Sequence, residues 1–261
     1  MESKKIGIVG CGVMGTVLLG ALVRSGLKSI IVVDRNDKKI ISLKKHFKSA
    51  VFVESSDKLS NCDVVIFSIK PQDFKLSEFV LKKKTLVVSI MAGISVVTIE
   101  NKTGCSKIIR AMPNMPAKIG KGFTGWFATK EVSSSEKKFT KDILSLMGEA
   151  LEVDSEDAIN KITAISGSGP AYIFYMLDCF VYAAQSLGVK PADARKIAMA
   201  TMRGSLAMID ENTDLAQLIK NVASKGGTTE SALKEFDKAK LASIWKKAIA
   251  SAYKRAKEFS K

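Results

Sequence analysis

The sequence predicts an α/β protein: an N-terminal Rossmann-type, doubly wound, mostly parallel sheet, followed by an all-α helical domain. Up to about Val153, short β-branched runs alternate with helical patterns, which is typical of a parallel sheet with helices on both faces. A glycine-rich segment follows the first run directly. After about Ser155 the strand signal disappears and only helical patterns remain. We therefore expect two domains, residues 1–154 and residues 155–261.

The predicted strands and helices follow in chain order. The strands are residues 6–10, 30–34, 51–53, 63–68, 85–89 and 107–111. Helical patterns at residues 16–25 and 38–48 separate the first of them. In the second half the predicted helices, several opened by Pro, Asp or Thr, are residues 158–165, 170–187, 191–209, 214–223, 228–236 and 238–259. Three consecutive serines within residues 131–136 predict a surface loop.

Composition places the chain among ordinary globular proteins. It has 261 residues, 46% hydrophobic and 26% charged, enough for one large core or two modest ones. The first residues lack a secretory pattern, so we expect a cytoplasmic protein. The formal net charge is +15, but the lysines are scattered over separate predicted elements. This distribution favours solvated faces and long-range attraction of anions over a nucleic-acid partner.

Neither cysteine nor histidine chemistry is indicated. The cysteines, at positions 11, 62, 105 and 179, stand in no paired spacing that would suit a zinc site or a thiol redox motif. The single histidine, His46, lies in a lysine-rich amphipathic stretch, which favours a solvated side chain over a catalytic one. We expect reduced, structural thiols and no metal site.

The predicted helix at residues 170–187 is apolar on nearly all of its faces. Asp178 and Gln185 interrupt it, and it falls short of the roughly 20 residues that cross a bilayer, so we expect no membrane partner. Its surface suits the centre of a helical bundle or a subunit interface, and the pattern alone leaves both open. Because one small domain has little with which to cover it, we expect a homo-oligomer, a dimer or a dimer-based assembly.

The segment Gly10-Cys11-Gly12-Val13-Met14-Gly15 joins the first predicted strand to a helix and has the spacing GxGxxG. In this context the first glycine permits a tight turn, the second lets the backbone approach a pyrophosphate, and the third allows close packing of helix on strand. N–H groups at the helix start face the phosphates. The segment predicts that residues 1–154 bind a dinucleotide.

The residues at the end of the second strand leave the choice of cofactor open. Asp34 lies near the place where an acidic residue accepts hydrogen bonds from the adenosine ribose of NAD. Arg35 suits the extra phosphate of NADP, with Asp34 then turned away or bonded to a ribose hydroxyl. Both residues are candidate cofactor ligands.

Four further segments, in order along the chain, resemble those of pyrroline-5-carboxylate reductases: Ser68-Ile69-Lys70-Pro71, Ala111-Met112-Pro113-Asn114-Met115-Pro116-Ala117, Ser166-Gly167-Ser168-Gly169-Pro170-Ala171-Tyr172 and Ser224-Lys225-Gly226-Gly227-Thr228-Thr229. The resemblance covers nearly the whole chain. Two positions depart from the family pattern, since Met115 replaces a usual Thr and Lys225 a usual Pro. We expect Lys225 to leave its loop more mobile and to add a cation near the substrate.

The resemblance implies that a nicotinamide delivers a hydride to the C=N carbon of 1-pyrroline-5-carboxylate and so makes L-proline. NADPH is the expected cofactor, with NADH as the alternative. The implied cofactor contacts, besides the glycine-rich segment, are Ile69, Lys70, Pro71, Ala92, Gly93, Asn114 and Asn221. For Asn114, a simple Pro-Asn turn is the alternative.

The segment Gly226-Gly227-Thr228-Thr229 stands directly before a predicted helix, where exposed N–H groups suit an anion such as the substrate carboxylate. Hydroxyls of Ser224 and Thr229 are expected to add hydrogen bonds, and Thr229, at the carboxylate or the ring nitrogen, is the candidate catalytic residue. An ordinary helix cap by Thr is the alternative. By resemblance alone, Glu156 and Thr163 also lie near the substrate, although as bare sequence they suit a helix-start acid and a core threonine.

Two rival functions are less well supported. The β-hydroxyacid dehydrogenase and imine reductase group is similar in having a dinucleotide domain followed by helices, and its hydroxyacid members carry a catalytic lysine early in the long helix. Residues 167–185 contain no lysine, which favours imine reduction over alcohol oxidation. A non-catalytic nucleotide sensor would not need the anion site before the helix at residue 228.

Overall fold

A computed structural model describes residues 4–260. Its strands form one sheet in the order β3-β2-β1-β4-β5-β6-β7-β8. Their bounds are β1 Ile6–Val9, β2 Ile30–Val33, β3 Ala50–Val53, β4 Val64–Phe67, β5 Leu86–Ser89, β6 Ile108–Met112, β7 Gly122–Ala128 and β8 Gly148–Glu152.

The strands β1 to β6 confirm the predicted Rossmann-type sheet. They are parallel, and the order reverses at β1, with β2 and β3 on one side and β4, β5 and β6 on the other. All residues of β1, β2, β4 and β5 are buried, as parallel strands covered on both faces must be. Neighbouring residues of β1 enter different apolar clusters, Ile8 the one with Leu18 and Val9 the one with Phe74.

The last two strands were not predicted. β7 runs antiparallel to β6, and β8 runs parallel to β7, which extends the sheet on the β6 side. The sheet is therefore mostly parallel with an antiparallel edge, in agreement with the predicted fold class.

The prediction of a loop over residues 131–136 is wrong in its second half. A helix begins at Ser134, and Ser133 is its N-cap. The hydroxyl of Ser133 accepts a hydrogen bond from the Glu136 N–H, and the Glu136 carboxylate accepts one from the Ser133 N–H. These serines start a helix because they satisfy the N–H groups of its first turn.

The helices of the structure are α1 Val13–Arg24, α2 Asp37–His46, α3 Pro71–Leu76, α4 Val96–Thr103, α5 Ser134–Ser145, α6 Glu156–Ile162, α7 Gly169–Ser186, α8 Pro191–Ala207, α9 Leu215–Val222, α10 Thr228–Lys238 and α11 Leu241–Phe259. α6 begins two residues before the predicted start and continues into a π-helical turn, Thr163–Gly167. Lys238, predicted to open the last helix, ends α10 instead, because Lys240 has a left-handed φ of 54°.

The chain forms two compact units. The sheet unit comprises Met1–Ser168 with Ala252–Lys261, and the helical unit comprises Gly169–Ser251. α6 packs on β6 and β7 and is therefore part of the sheet unit. The domain boundary after residue 154 stays a prediction.

Within the helical unit, α7 and α8 pack on each other, and the rings of Tyr172 and Trp245 meet edge to face at 5.9 Å between centroids. None of the described residues of α7 is buried. Tyr175 and Tyr182 are 72% and 75% exposed. The apolar surface predicted for this helix thus remains uncovered in the single chain.

Candidate functional site

A cleft of about 550 Å³ lies at the carboxyl ends of β1, β2 and β4. Open parallel sheets bind ligands at this edge, beside the point where the strand order reverses. The cleft brings together predicted residues that lie far apart in the sequence, namely Gly10, Gly12, Asp34, Arg35, Ile69 and Lys70. Asn36, Lys39 and Ser77 also line it, and sequence reasoning missed them.

The glycine-rich turn has the close approach that its spacing predicts. A Cβ atom on Gly15 would lie 2.1 Å from the carbonyl oxygen of Gly10 and 2.9 Å from Ser68 Oγ. At Gly12 a Cβ atom would have only the Ser68 carbonyl oxygen within 4 Å, at 3.9 Å, so this side of the turn is open. No side chain caps α1, which leaves its first-turn N–H groups to a ligand. The turn fits a pyrophosphate.

The Asp34 carboxylate accepts hydrogen bonds from three groups of the chain itself. Its Oδ2 accepts hydrogen bonds from the Cys11 N–H at 2.7 Å and from Lys39 Nζ at 3.1 Å, and its Oδ1 accepts one from the Asn36 N–H at 3.0 Å. Burial opposes ionisation, but these donors together lower the pKa of the carboxyl below its usual value. Asp34 is therefore ionised and ties the glycine-rich turn to the end of β2.

Arg35 points along the cleft wall, where its guanidinium donates to the Ser77 hydroxyl, just after α3. Lys39, in the first turn of α2, places a second cation in the same cleft beside Asp34. The adenosine end of the predicted site therefore holds one exposed guanidinium and one ammonium, a set of donors that suits a phosphate.

The remaining residues of the glycine-rich segment differ in exposure. Val13 is exposed, Met14 packs partly against the core, and Cys11 is fully buried. Burial, and then the nearby Asp34 carboxylate, raises the pKa of the Cys11 thiol to about 12. Cys11 contributes its backbone N–H to the turn and keeps its thiol protonated.

Predicted contacts that follow β4 and β5 lie at the same edge of the sheet. Ile69 and Lys70 line the cleft, and Pro71 is the first residue of α3. Ala92 and Gly93 follow β5, and Gly93 has a φ of +70°. They are not part of the cleft lining, and their role in cofactor binding stays a prediction.

Asn114 is held within the sheet unit. Its Oδ1 accepts a hydrogen bond from the Phe123 N–H at 2.9 Å, and its Nδ2 donates to Ser166 Oγ at 3.0 Å. The side chain thus connects the turn after β6 to β7 and to the start of the Ser166-Gly167-Ser168-Gly169 segment. A contact between Asn114 and a nicotinamide stays a prediction.

Arg110, on β6, was missed by sequence reasoning because it stands in a strand that otherwise appears apolar. Its side chain is only 2% exposed, and its Nη1 donates to Glu156 Oε1 at 2.8 Å. Glu156 is thus paired inside the sheet unit. Thr163 donates its hydroxyl to the Ile159 carbonyl at 2.7 Å. The substrate contacts implied for Glu156 and Thr163 remain untested predictions.

The predicted substrate loop lies entirely in the helical unit. Gly226 has a φ of +75°, and Gly227 is the N-cap of α10, which no side chain caps. Neither Thr228 nor Thr229 therefore serves as the capping residue. The Gly226 N–H donates to Glu230 Oε2 at 2.6 Å, so the loop already holds one carboxylate oxygen. This geometry suits an anion.

Two further residues of the helical unit complete the predicted site. Asn221, near the end of α9, accepts a hydrogen bond from Gln217 at 2.8 Å, and Lys225 is exposed beside Gly226.

No helix within residues 4–260 is long and apolar enough to cross a membrane. Over the same residues, no three His, Cys, Asp or Glu side chains are grouped so as to hold a metal ion.

Two family models match separate parts of the chain. Residues 156–259 match the family described as pyrroline-5-carboxylate reductase dimerisation. Residues 5–93 match the family described as NADP oxidoreductase, coenzyme F420-dependent. The first match spans α6 to α11, and the second spans β1 to β5 with the cleft.

Similar proteins align over nearly the whole chain. A pyrroline-5-carboxylate reductase of Vibrio alginolyticus is 31% identical over 270 residues, covering 100% of this chain and 99% of the relative. One of Haemophilus influenzae is 34% identical over 250 residues, covering 91% and 90%. The solved structure of a pyrroline-5-carboxylate reductase from Coxiella burnetii has a TM-score of 0.89 at 33% identity and covers 100% of both chains.

Proposed function

The chain belongs to the pyrroline-5-carboxylate reductase family, and from this membership we propose how its own residues serve the reaction. The enzyme transfers a hydride from NAD(P)H to the C=N carbon of 1-pyrroline-5-carboxylate and forms L-proline. The observation that carries this function is similarity to complete reductases across both units, not across the nucleotide-binding part alone.

On the cofactor side, we propose that the cleft of the sheet unit holds the dinucleotide. Gly10, Gly12 and the first turn of α1 would receive the pyrophosphate, because Gly12 is open and the helix N–H groups have no side-chain cap. Ile69, Lys70 and Pro71 would line the ribose, with Lys70 as donor. The bound cofactor supplies the hydride, and the chain's part is to fix its position.

We propose NADPH as the preferred cofactor. The oxygens of Asp34 are already engaged by Cys11, Asn36 and Lys39, so an adenosine ribose would compete with the chain's own donors. Arg35 and Lys39 stand in the same cleft and supply cations for an extra phosphate. NADH stays the alternative.

Arg35→Ala is expected to weaken NADPH binding on the order of tenfold or more, because a charge-assisted hydrogen bond contributes about 1.5–3 kcal/mol. NADH binding should change little, since it lacks the phosphate. Fluorescence titration of each reduced cofactor measures both dissociation constants. Arg35→Lys is the matched control, because it keeps the charge and should retain part of the preference. Equal losses for both cofactors would show that Arg35 is not a phosphate ligand.

On the substrate side, we propose that the loop Ser224–Thr229 of the helical unit binds the imine's carboxylate. Support comes from the Gly226 N–H, which already donates a hydrogen bond to the Glu230 carboxylate, and from the uncapped start of α10. Thr229 would hydrogen-bond the carboxylate or the ring nitrogen. A protonated imine is itself electrophilic, so orientation supplies most of the catalysis and no strong acid is required.

The long helix supports imine reduction over the reaction of hydroxyacid dehydrogenases. α7 contains no lysine, so it has no ammonium to exchange a proton with an alcohol. The homo-oligomer is consistent with the same helix, because the family match to the dimerisation region includes all of α7 and its apolar side chains are exposed in the single chain. We propose a dimer or an assembly of dimers.

We also propose that the enzyme works in the cytoplasm. The four cysteines are all free, and three of them are buried, which suits a reducing compartment.

The purified protein is expected to oxidise NADPH only when pyrroline-5-carboxylate is present and to release one proline for each NADPH consumed. The loss of NADPH absorbance, followed by amino-acid analysis of the product, measures both. Each cofactor is tested in turn, and 3-hydroxy acids serve as the control substrates. Turnover of hydroxy acids without formation of proline would contradict the assignment.

A further inference from the structure

Arg110 joins three parts of the sheet unit that are distant in the sequence. Besides the ion pair with Glu156 on α6, its Nη2 donates to Asn160 Oδ1 and to Ser260 Oγ, both at 3.0 Å. Ser260 follows α11 and also donates to Asn160 Oδ1 at 2.9 Å. The Arg110 Nε is buried and has no partner among the described residues. Burying a guanidinium costs desolvation free energy, so the presence of Arg110 at this position calls for an explanation.

Two groups fixed by Arg110 also hold the segment that follows β5, residues 90–95, here called the β5 loop. Glu156 Oε1 accepts a hydrogen bond from the Val96 N–H at 2.8 Å, directly after the loop. Phe259, which precedes Ser260, lies against the loop itself. A Cβ atom on Gly93 would be 2.5 Å from Phe259 Cβ and 3.0 Å from its carbonyl oxygen. The loop is therefore held at its end and at its middle.

The β5 loop lies where the second half of a dinucleotide is expected. β5 is separated from β1 only by β4, on the side of the strand-order reversal opposite β2. A dinucleotide crosses this reversal, so its adenosine half lies toward β2 and its nicotinamide half toward β4 and β5. Ala92 and Gly93, within the loop, are the predicted contacts on that side.

We infer that Arg110 is a positioning residue for the nicotinamide half of the cofactor. It fixes Glu156 on one side of the β5 loop and Ser260 with Phe259 on the other, and these set the shape of the loop. Arg110 and Glu156 then act on cofactor binding through the backbone, and Glu156 is not a substrate ligand. The inference rests on the cofactor site of the proposed function.

The test uses three variants of the full chain: Glu156→Gln, Arg110→Lys and Ser260→Ala. Glu156→Gln keeps an oxygen acceptor but removes the charge, and Arg110→Lys keeps the charge but loses the forked donors. The dissociation constant of NADPH, measured by fluorescence titration without substrate, is expected to rise on the order of tenfold in the first two and less in Ser260→Ala. The KM for pyrroline-5-carboxylate at saturating NADPH should stay within about twofold.

Glu136→Gln is the matched control. Glu136 pairs with Lys107 at 2.8 Å near the amino end of β6, in the same unit but away from the β5 loop. This variant should lower the thermal unfolding temperature as the test variants do and leave NADPH affinity unchanged. Ser260→Ala keeps the test interpretable if the two ion-pair variants fail to fold, because it removes one neutral hydroxyl from the cluster and leaves the ion pair in place.

The possible outcomes separate the inference from its alternatives. A raised KM for the imine with normal NADPH affinity in Glu156→Gln would make Glu156 a substrate ligand and overturn the inference. Variants that lose only stability, as Glu136→Gln does, would reduce the cluster to a structural role and also overturn it. If NADPH affinities separate as expected but the wild-type protein forms no proline, the inference stands and the proposed reaction fails.

Discussion

Gly15→Ala is expected to raise the dissociation constant of NADPH on the order of a hundredfold and to lower the unfolding temperature. The added Cβ would lie 2.1 Å from the Gly10 carbonyl oxygen, a backbone atom that moves only if the whole turn moves. Overpacking of this kind costs about 1–3 kcal/mol and often more. The displaced turn would no longer offer its N–H groups to the pyrophosphate.

Two controls separate the effect on binding from the effect on stability. Gly12→Ala meets only one atom within 4 Å, at 3.9 Å, so it should leave stability intact and still weaken NADPH, because the cofactor itself approaches there. Gly204→Ala, in α8, meets nothing within 4 Å, so it should leave NADPH affinity unchanged and should not lower the unfolding temperature. Thermal unfolding and NADPH titration provide the measurements. Normal NADPH binding by Gly15→Ala would contradict the assignment of the glycine-rich turn to the pyrophosphate.

Gly226→Val is expected to raise the KM for pyrroline-5-carboxylate on the order of a hundredfold while NADPH affinity stays near normal. Gly226 has a φ of +75°, a conformation that costs about 1–2 kcal/mol for ordinary residues and more for a branched one. Valine would therefore force a different backbone conformation on the loop that we assign to the substrate carboxylate.

Thr229→Ala is the milder partner of this test. It removes one neutral hydrogen bond, about 0.5–1.5 kcal/mol, and leaves the backbone of the loop in place. Steady-state kinetics with saturating NADPH compare the two variants. The opposite order of effects would assign the chemistry to the Thr229 hydroxyl, as proton donor to the ring nitrogen. If neither variant alters KM or kcat, the imine binds elsewhere.

Both Gly226 and Gly227 belong to the predicted substrate loop, but only Gly226 adopts the left-handed conformation. Gly227 has an ordinary φ of −81°, although a Cβ atom there would lie 2.6 Å from Ser224 Oγ. Consecutive glycines give no local signal that tells which of them takes the left-handed conformation. The fold of the loop decides it.

The parallel part of the sheet was predictable because its strands are continuous β-branched runs, buried on both faces. β7 was not predictable, because it contains glycines at positions where another element packs closely against the strand. A Cβ atom on Gly125 would lie 2.1 Å from Ile162 Cδ1, so α6 approaches the strand only where a side chain is missing. Such a glycine weakens the strand signal for a tertiary reason that no short window of sequence contains.

Some residues of the candidate site could likewise be predicted from the sequence and others could not. The glycine-rich turn, Asp34 and Lys70 follow strand ends and were found from local patterns. Arg110 was missed because its partners lie 46, 50 and 150 positions away, at Glu156, Asn160 and Ser260. The internal bonds of Asp34 also depend on Cys11, 23 positions earlier, and only the folded turn brings the two together.

The buried cysteine of the glycine-rich turn bears on how the enzyme tolerates oxidants. The thiolate is the form of cysteine that attacks peroxides and alkylating agents, and a thiol with a pKa near 12 is almost wholly protonated at neutral pH. Cys11 is also shielded from any reagent by its complete burial. The cysteine within the glycine-rich turn is thus chemically unreactive. Oxidative stress that modifies accessible thiols should therefore leave the affinity of the enzyme for its dinucleotide unchanged.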